Sequence, residues 1–162
     1  MRVLFTPGLV TVALGLLMTG CASDLSSPSR EEPVVKVMAL LQQCGLSDPA
    51  IHGLDGSGEA FSTELQQELE DIVLPEGRQA VVVAMGQQET AGYGLSMLDA
   101  RWFGDATLNL SMQAENPTKD RVAAQVITEP CVILDVPAEG WTQLRVNADL
   151  IGFPVAWVRD IR

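Results

Sequence analysis

The hydrophobic pattern changes period at Arg78, and that change constrains the fold more than any other feature of this 162-residue chain. Upstream, apolar residues recur at helical spacing. Pro33 suits a first helical position, where its missing N–H costs nothing. Val34, Val37, Met38 and Leu41 follow on one face, and Gly45, just past Cys44, is a natural stop. The stretch 46–60 holds Pro49, Gly53, Gly56 and Gly58 and reads as loop. A second helix is expected from near Phe61. Ser62 or Thr63 would cap it, with Thr63 and Gln66 at capping-box spacing. Phe61, Leu65, Leu69 and Ile72 would form its inner face, and Pro75 and Gly77 would end it.

Downstream of Arg78 the period is two. Ala80 to Met85 is a compact, largely β-branched run. Tyr93, Leu95 and Met97, then Leu108, Leu110 and Met112, alternate with smaller or polar residues. Val132 to Val136 lies between Pro130 and Pro137, Leu144 and Val146 alternate with polar neighbours, and Val155 to Val158 closes the series. The expectation is an α+β chain, with two N-terminal helices packed on a mostly antiparallel sheet, or small sandwich, of about six strands. The helical part would span 33–74 and the β-rich part 78–160, within a single domain at 33–162.

The N-terminus carries a separate signal. Arg2 is followed by a charge-free run from Val3 to Met18, then Met18-Thr19-Gly20-Cys21 and a Ser-rich stretch from Ala22 to Ser29. This looks like the signal peptide of a bacterial lipoprotein, in which the cysteine becomes the lipidated first residue. The resemblance implies removal of residues 1–20, a lipid on Cys21 and a flexible tether over 21–32. Ala22, rather than an aspartate, after the cysteine resembles lipoproteins sorted to the periplasmic face of the outer membrane. A transmembrane anchor, which needs ~20 apolar residues, and an ordinary signal peptide with an incidental cysteine are the alternatives.

Residues 1–20 contain Arg2 and no acid, so their removal takes the formal charge from −11 to −12. Asp and Glu outnumber Lys and Arg by 21 to 10, short of the basic surplus that displaces counterions from nucleic acid, and nucleic-acid binding is not expected. The same surplus keeps a secreted protein soluble. Cys44 and Cys131 remain as an even pair among apolar neighbours, which outside the cytoplasm suggests a disulfide. Two buried free thiols, or a catalytic thiol working with His52, are the other readings.

Catalytic and cofactor constellations are sparse. His52 is the single histidine, and His52, Asp55 and Ser57 are too close in sequence to make triad geometry readily. Zinc needs several His or Cys ligands at suitable spacing. Asp55 to Glu59 lacks the alternating carboxylates of an EF-hand. No metal, cofactor or catalytic residue is therefore expected.

One segment stands out: Met85-Gly86-Gln87-Gln88-Glu89-Thr90-Ala91-Gly92-Tyr93-Gly94-Leu95. Its glycines permit positive φ and close backbone approach, and Tyr93 is the chain's one tyrosine. It reads either as a strand connection with Tyr93 packed at the core edge or as an exposed recognition loop. The order strand, Gly-Gln, then Thr-Ala-Gly-Tyr-Gly-Leu resembles the Gly-x-x-Pro-Thr-Gly-Gly-Tyr pattern of the PrcB C-terminal domain family, which is named after a lipoprotein subunit of a surface protease complex. Glu129-Pro130-Cys131-Val132-Ile133-Leu134-Asp135-Val136-Pro137 resembles that family's second block. Glu89 and Ala91 stand where the family has Pro and Gly. The resemblance, over about residues 79–137, implies a small secreted β-rich module without established enzymatic activity.

A looser similarity joins Thr90, Gly92 and Tyr93 to the inserted loop of chagasin-like peptidase inhibitors. Trp102 and Phe103 are then candidates for an aromatic patch beside the glycine loop, or for core area together with Trp141 and Trp157. The resulting expectation is a lipid-anchored, non-catalytic binding or accessory subunit, with an envelope or secreted protein, such as a protease, as partner. Its candidate interaction residues are Glu89, Thr90, Gly92, Tyr93 and Trp102. The alternatives are a peptidase inhibitor acting through Glu89–Tyr93, and an uncharacterised enzyme.

Overall fold

A central strand that is apolar on both faces needs a covering layer on each, and β3 (Arg78–Met85) and β6 (Cys131–Pro137) are two such strands. In the computed structural model, which describes residues 30–54, 61–117, 124–150 and 152–158, they pair antiparallel from Arg78↔Pro137 to Ala84↔Cys131. β1 (Lys36–Leu41) flanks β6, and β2 (Pro49–Gly53) flanks β3, which completes a four-stranded sheet in the order β1-β6-β3-β2. The second sheet has the order β4-β5-β7-β8, from β4 (Gly94–Phe103), β5 (Thr107–Glu115), β7 (Gln143–Ala148) and β8 (Val155–Val158). β5 and β7 run parallel, joined by a crossover through β6 in the other sheet.

Period-two alternation sorts β3 between two cores. Val81, Val83 and Met85 face the second sheet and pack with Val132, Leu134, Leu108, Leu110, Leu144 and Val146. Ala80, Val82 and Ala84 face outward, beneath the one helix among the described residues, α1 (Thr63–Asp71). Their small side chains leave room for Leu65, which is fully buried there. Ser62 caps α1: its hydroxyl accepts a bond from Leu65 N at 3.1 Å and donates to Gln43 O.

The expected α+β architecture is corrected by this arrangement. The described residues are mostly β, with one short helix and two sheets of four strands, rather than two N-terminal helices on a sheet. The first expected helix is β1. β6 is buried on both faces and must hydrogen-bond along both edges, and the segment after Pro33 supplies its second neighbour. A bulge between Val37 and Ala39 breaks the alternation of β1. Apolar residues spaced by three and four therefore mimic a helix, and pairing overrides that local pattern. The expected loop at 46–60 contains β2. Its Pro49 is tolerated because it opens an edge strand. β1 and β2, before residue 77, thus share a sheet with β3 and β6, after it. Most of the leader and tether, Cys21 and the Asp55–Glu59 segment lie outside the described residues.

Candidate functional site

The glycine-rich segment leaves β3 at Met85 and enters β4 at Gly94. Gly86 is buried with φ of 77°, and a Cβ there would lie 2.8 Å from Pro49 Cδ and 3.0 Å from Ser47 O. Only glycine fits that turn without displacing β2. The backbone is then bonded on both sides. Gln87 N donates to Ser47 O at 2.9 Å, and Gln88 and Thr128 exchange two bonds, of 2.8 and 3.0 Å. Ala91 N donates to Ala124 O at 3.1 Å. The Thr128 hydroxyl donates to Thr90 O at 3.1 Å, and Gln42 Nε2 donates to Tyr93 O at 3.0 Å. Gly92, with φ of 97°, turns the chain toward Tyr93, whose half-buried side chain packs on the inter-sheet core.

Of the expected contact residues, Glu89 and Gly92 are exposed, and Thr90 and Tyr93 are half-buried. The loop is a clamped surface bounded by the exposed Val126 and Ile127. Glu89 offers a carboxylate there, but Tyr93 is turned inward and does not project as a wedge. The clamping segment 124–128 is not among the segments singled out in the sequence, although its Val126-Ile127-Thr128 run before Pro130 is the kind of signal that marks an extended partner.

Trp102 is not beside this loop, a correction to the expected aromatic patch. It lies near the far end of β4, and the residues from Gly94 to Trp102 put about 27 Å of strand between them. There Trp102 is already engaged. Arg30 stacks over its ring with the guanidinium carbon 3.4 Å from the centroid, and its indole N–H donates to Glu31 O at 2.8 Å. Arg30 also donates to Asp105 O at 3.0 Å and Gly140 O at 2.6 Å. The end of the expected tether is thus strapped across the β4–β5 turn. Phe103, next to it, is exposed. Trp141 and Trp157 meet edge to face at 5.6 Å, with Trp141 in the inter-sheet core.

Cys44 and Cys131 are joined by a disulfide, with Cα atoms 6.1 Å apart. His52 is a strand residue on β2, not a loop residue, and meets Phe61 edge to face at 6.1 Å. Among the described residues no group of three His, Cys, Asp or Glu side chains is placed to hold a metal ion, and no helix is long and apolar enough to cross a membrane.

The clamped loop, the hairpin of β4 and β5, and the two central strands β3 and β6 form a continuous unit in sequence. Residues 80–137, which span it, match the family model described as PrcB C-terminal. The chain carries a domain of PrcB C-terminal type. No curated protein and no solved structure matches the chain.

Proposed function

We propose that this chain is a non-catalytic accessory or binding subunit of a secreted or surface protease complex, held by a lipid on Cys21 at the periplasmic face of the outer membrane. The observation that carries the reading is the PrcB C-terminal match over residues 80–137, since that family takes its name from such a subunit. The apolar leader ending at Cys21 agrees with it. Several acyl chains, at ~0.8 kcal/mol per buried CH₂, hold a protein firmly on a bilayer. The inward position of Tyr93 and the clamped backbone from Gln88 to Ala91 weigh against an inhibitory wedge.

Two measurements test the proposal. Labelled palmitate should enter the wild type and not the Cys21→Ala variant; equal labelling removes the anchor. The full chain, extracted from membranes in mild detergent, should bring down a peptidase whose activity persists in the complex. Recovery of the bait alone, or loss of peptidase activity on adding the purified chain, overturns the accessory role.

A further inference from the structure

β1 is an edge strand: β6 pairs with one of its sides, and no strand among the described residues pairs with the other. An open edge is a template for another strand unless it is blunted or covered. The other three edges are protected. β2 closes against β8, where a Cβ at Gly53 would overlap the Trp157 ring. β4 carries Asp99, Arg101 and a bulge, and the strap from Arg30 and Glu31 crosses its end. β8 has four residues among those described.

β1 has much less protection. Lys36, its first residue, is its one charge, and its bulge falls early, between Val37 and Ala39. From Ala39 to Leu41 the pairing with β6 is regular. Leu40 stands directly opposite Val132, so the two side chains share the face turned toward the second sheet. Val132 is 0% exposed and Leu40 is 56% exposed. The second sheet therefore covers Val132 on β6 and leaves Leu40 on β1 open. Val37 and Met38 are exposed as well. Among the described residues the arrangement is a sandwich with room for one more strand beside an uncovered apolar residue.

The charges around this edge select its occupant. Glu31 and Glu32 are exposed before its start, where Arg30 is turned onto Trp102 and Lys36 is the remaining cation. Glu129 lies beyond its end, where its N–H donates to Gln42 O at 3.0 Å. A second copy would bring these same acids together in a chain of net charge −11.

We propose that the outer edge of β1 accepts one strand from a partner polypeptide: an extended segment with apolar side chains at alternate positions and Lys or Arg at its ends. Its backbone bonds along β1, and its inward side chains cover Leu40. This deepens the accessory reading and rests on it, because it names the surface by which such a subunit would hold its partner.

The probe is a fluorescein-labelled nine-residue peptide alternating Val and Thr between terminal Lys residues, titrated by anisotropy against the full chain in detergent. Saturable binding is expected. It should weaken at least tenfold when the chain carries Leu40→Lys, when the peptide is N-methylated at alternate amides, and when its terminal Lys residues are replaced by Glu. Leu98→Lys, at an exposed position on β4, should leave it unchanged. No saturable binding, or equal binding by the N-methylated peptide or the Leu40→Lys chain, overturns the proposal. So does a dimer in sedimentation equilibrium that Leu40→Lys dissociates, which would make a second copy the occupant. Peptide binding that survives these controls while no peptidase co-purifies leaves the edge site standing and removes the accessory reading. Peptidase co-purification undiminished by Leu40→Lys does the reverse.

Discussion

Gln88 and Thr128 bond to each other through both backbone groups, Gln88 N to Thr128 O at 2.8 Å and Thr128 N to Gln88 O at 3.0 Å. This isolated bridge turns a glycine-rich connection into a two-sided structure, with segment 124–128 along one side and residues 42–47 along the other. The Thr128 hydroxyl adds a third bond, to Thr90 O, at a position only 2% exposed. Thr128→Val keeps the shape and removes that donor, leaving Thr90 O short of a partner. The expected cost is about 1–2 kcal/mol, read by urea unfolding. Amide exchange should accelerate from Gln88 to Ala91 and not in β7. Unchanged stability and exchange would show that the hydroxyl holds nothing.

Arg78 and Asp135 close the opposite end of β3 and β6. Arg78 Nε donates to Asp135 Oδ1 at 2.6 Å, and its Nη2 donates to Asp135 O at 2.9 Å. The Asp135 side chain is 4% exposed. Arg78→Ala would strand that carboxylate without its cation, at an expected loss of ~3–5 kcal/mol. Arg78→Met with Asp135→Leu should lose clearly less than the single variant, because no charge is then left buried alone. Equal losses in the two denaturation curves would assign the effect to packing instead.

These two contacts also mark how far the sequence could be read. The six strands after Arg78 announced themselves, because each alternates or is bounded by Pro and Gly, and those signals are local. Lys36–Leu41 did not. Six residues with a bulge at Val37/Ala39 carry no period that separates strand from helix, and only the demand of β6 for a second neighbour decides between them. Within the candidate site, the positive φ of Gly86 and Gly92 was foreshadowed by residue type. The clamp from segment 124–128 was hidden, since a bond between Gln88 and Thr128 depends on how the second sheet's hairpin returns the chain. The separation of Trp102 from Tyr93 comes from β4 itself: Tyr93 precedes one end and Trp102 lies near the other, and a ten-residue strand puts its ends at opposite poles.

Gly53 is held by shape rather than by backbone conformation. Its φ is not positive, yet a Cβ there would overlap the Trp157 ring, which rests against β2 from the other sheet. Gly53→Ala should therefore displace Trp157 and open the β2–β8 side, at about 1–3 kcal/mol. Trp157→Leu in the same chain should recover part of that loss, since the smaller side chain leaves the methyl space. Thermal unfolding of the single and double variants decides the point; additive losses would mean that the two residues do not compete for one volume.

The Cys44–Cys131 bridge ties residues 87 apart and carries local consequences as well as a global one. For a loop of this length the chain-entropy model gives about 4–5 kcal/mol, and loss of a native bridge in small secreted domains costs about 2–5 kcal/mol. Cys44→Ser with Cys131→Ser should fall in that range by chemical denaturation. The same turn also anchors the helix: Ser62 N donates to Cys44 O at 3.0 Å, and the Ser62 hydroxyl, which caps α1, donates to Gln43 O. Freeing Cys44 should therefore loosen the cap before it loosens the sheets. Amide exchange in α1 should rise at reductant concentrations that leave β5 and β7 protected. A loss below about 1 kcal/mol with uniform exchange would mean that the hydrogen bonds of the turn, and not the covalent link, hold the helix on its sheet.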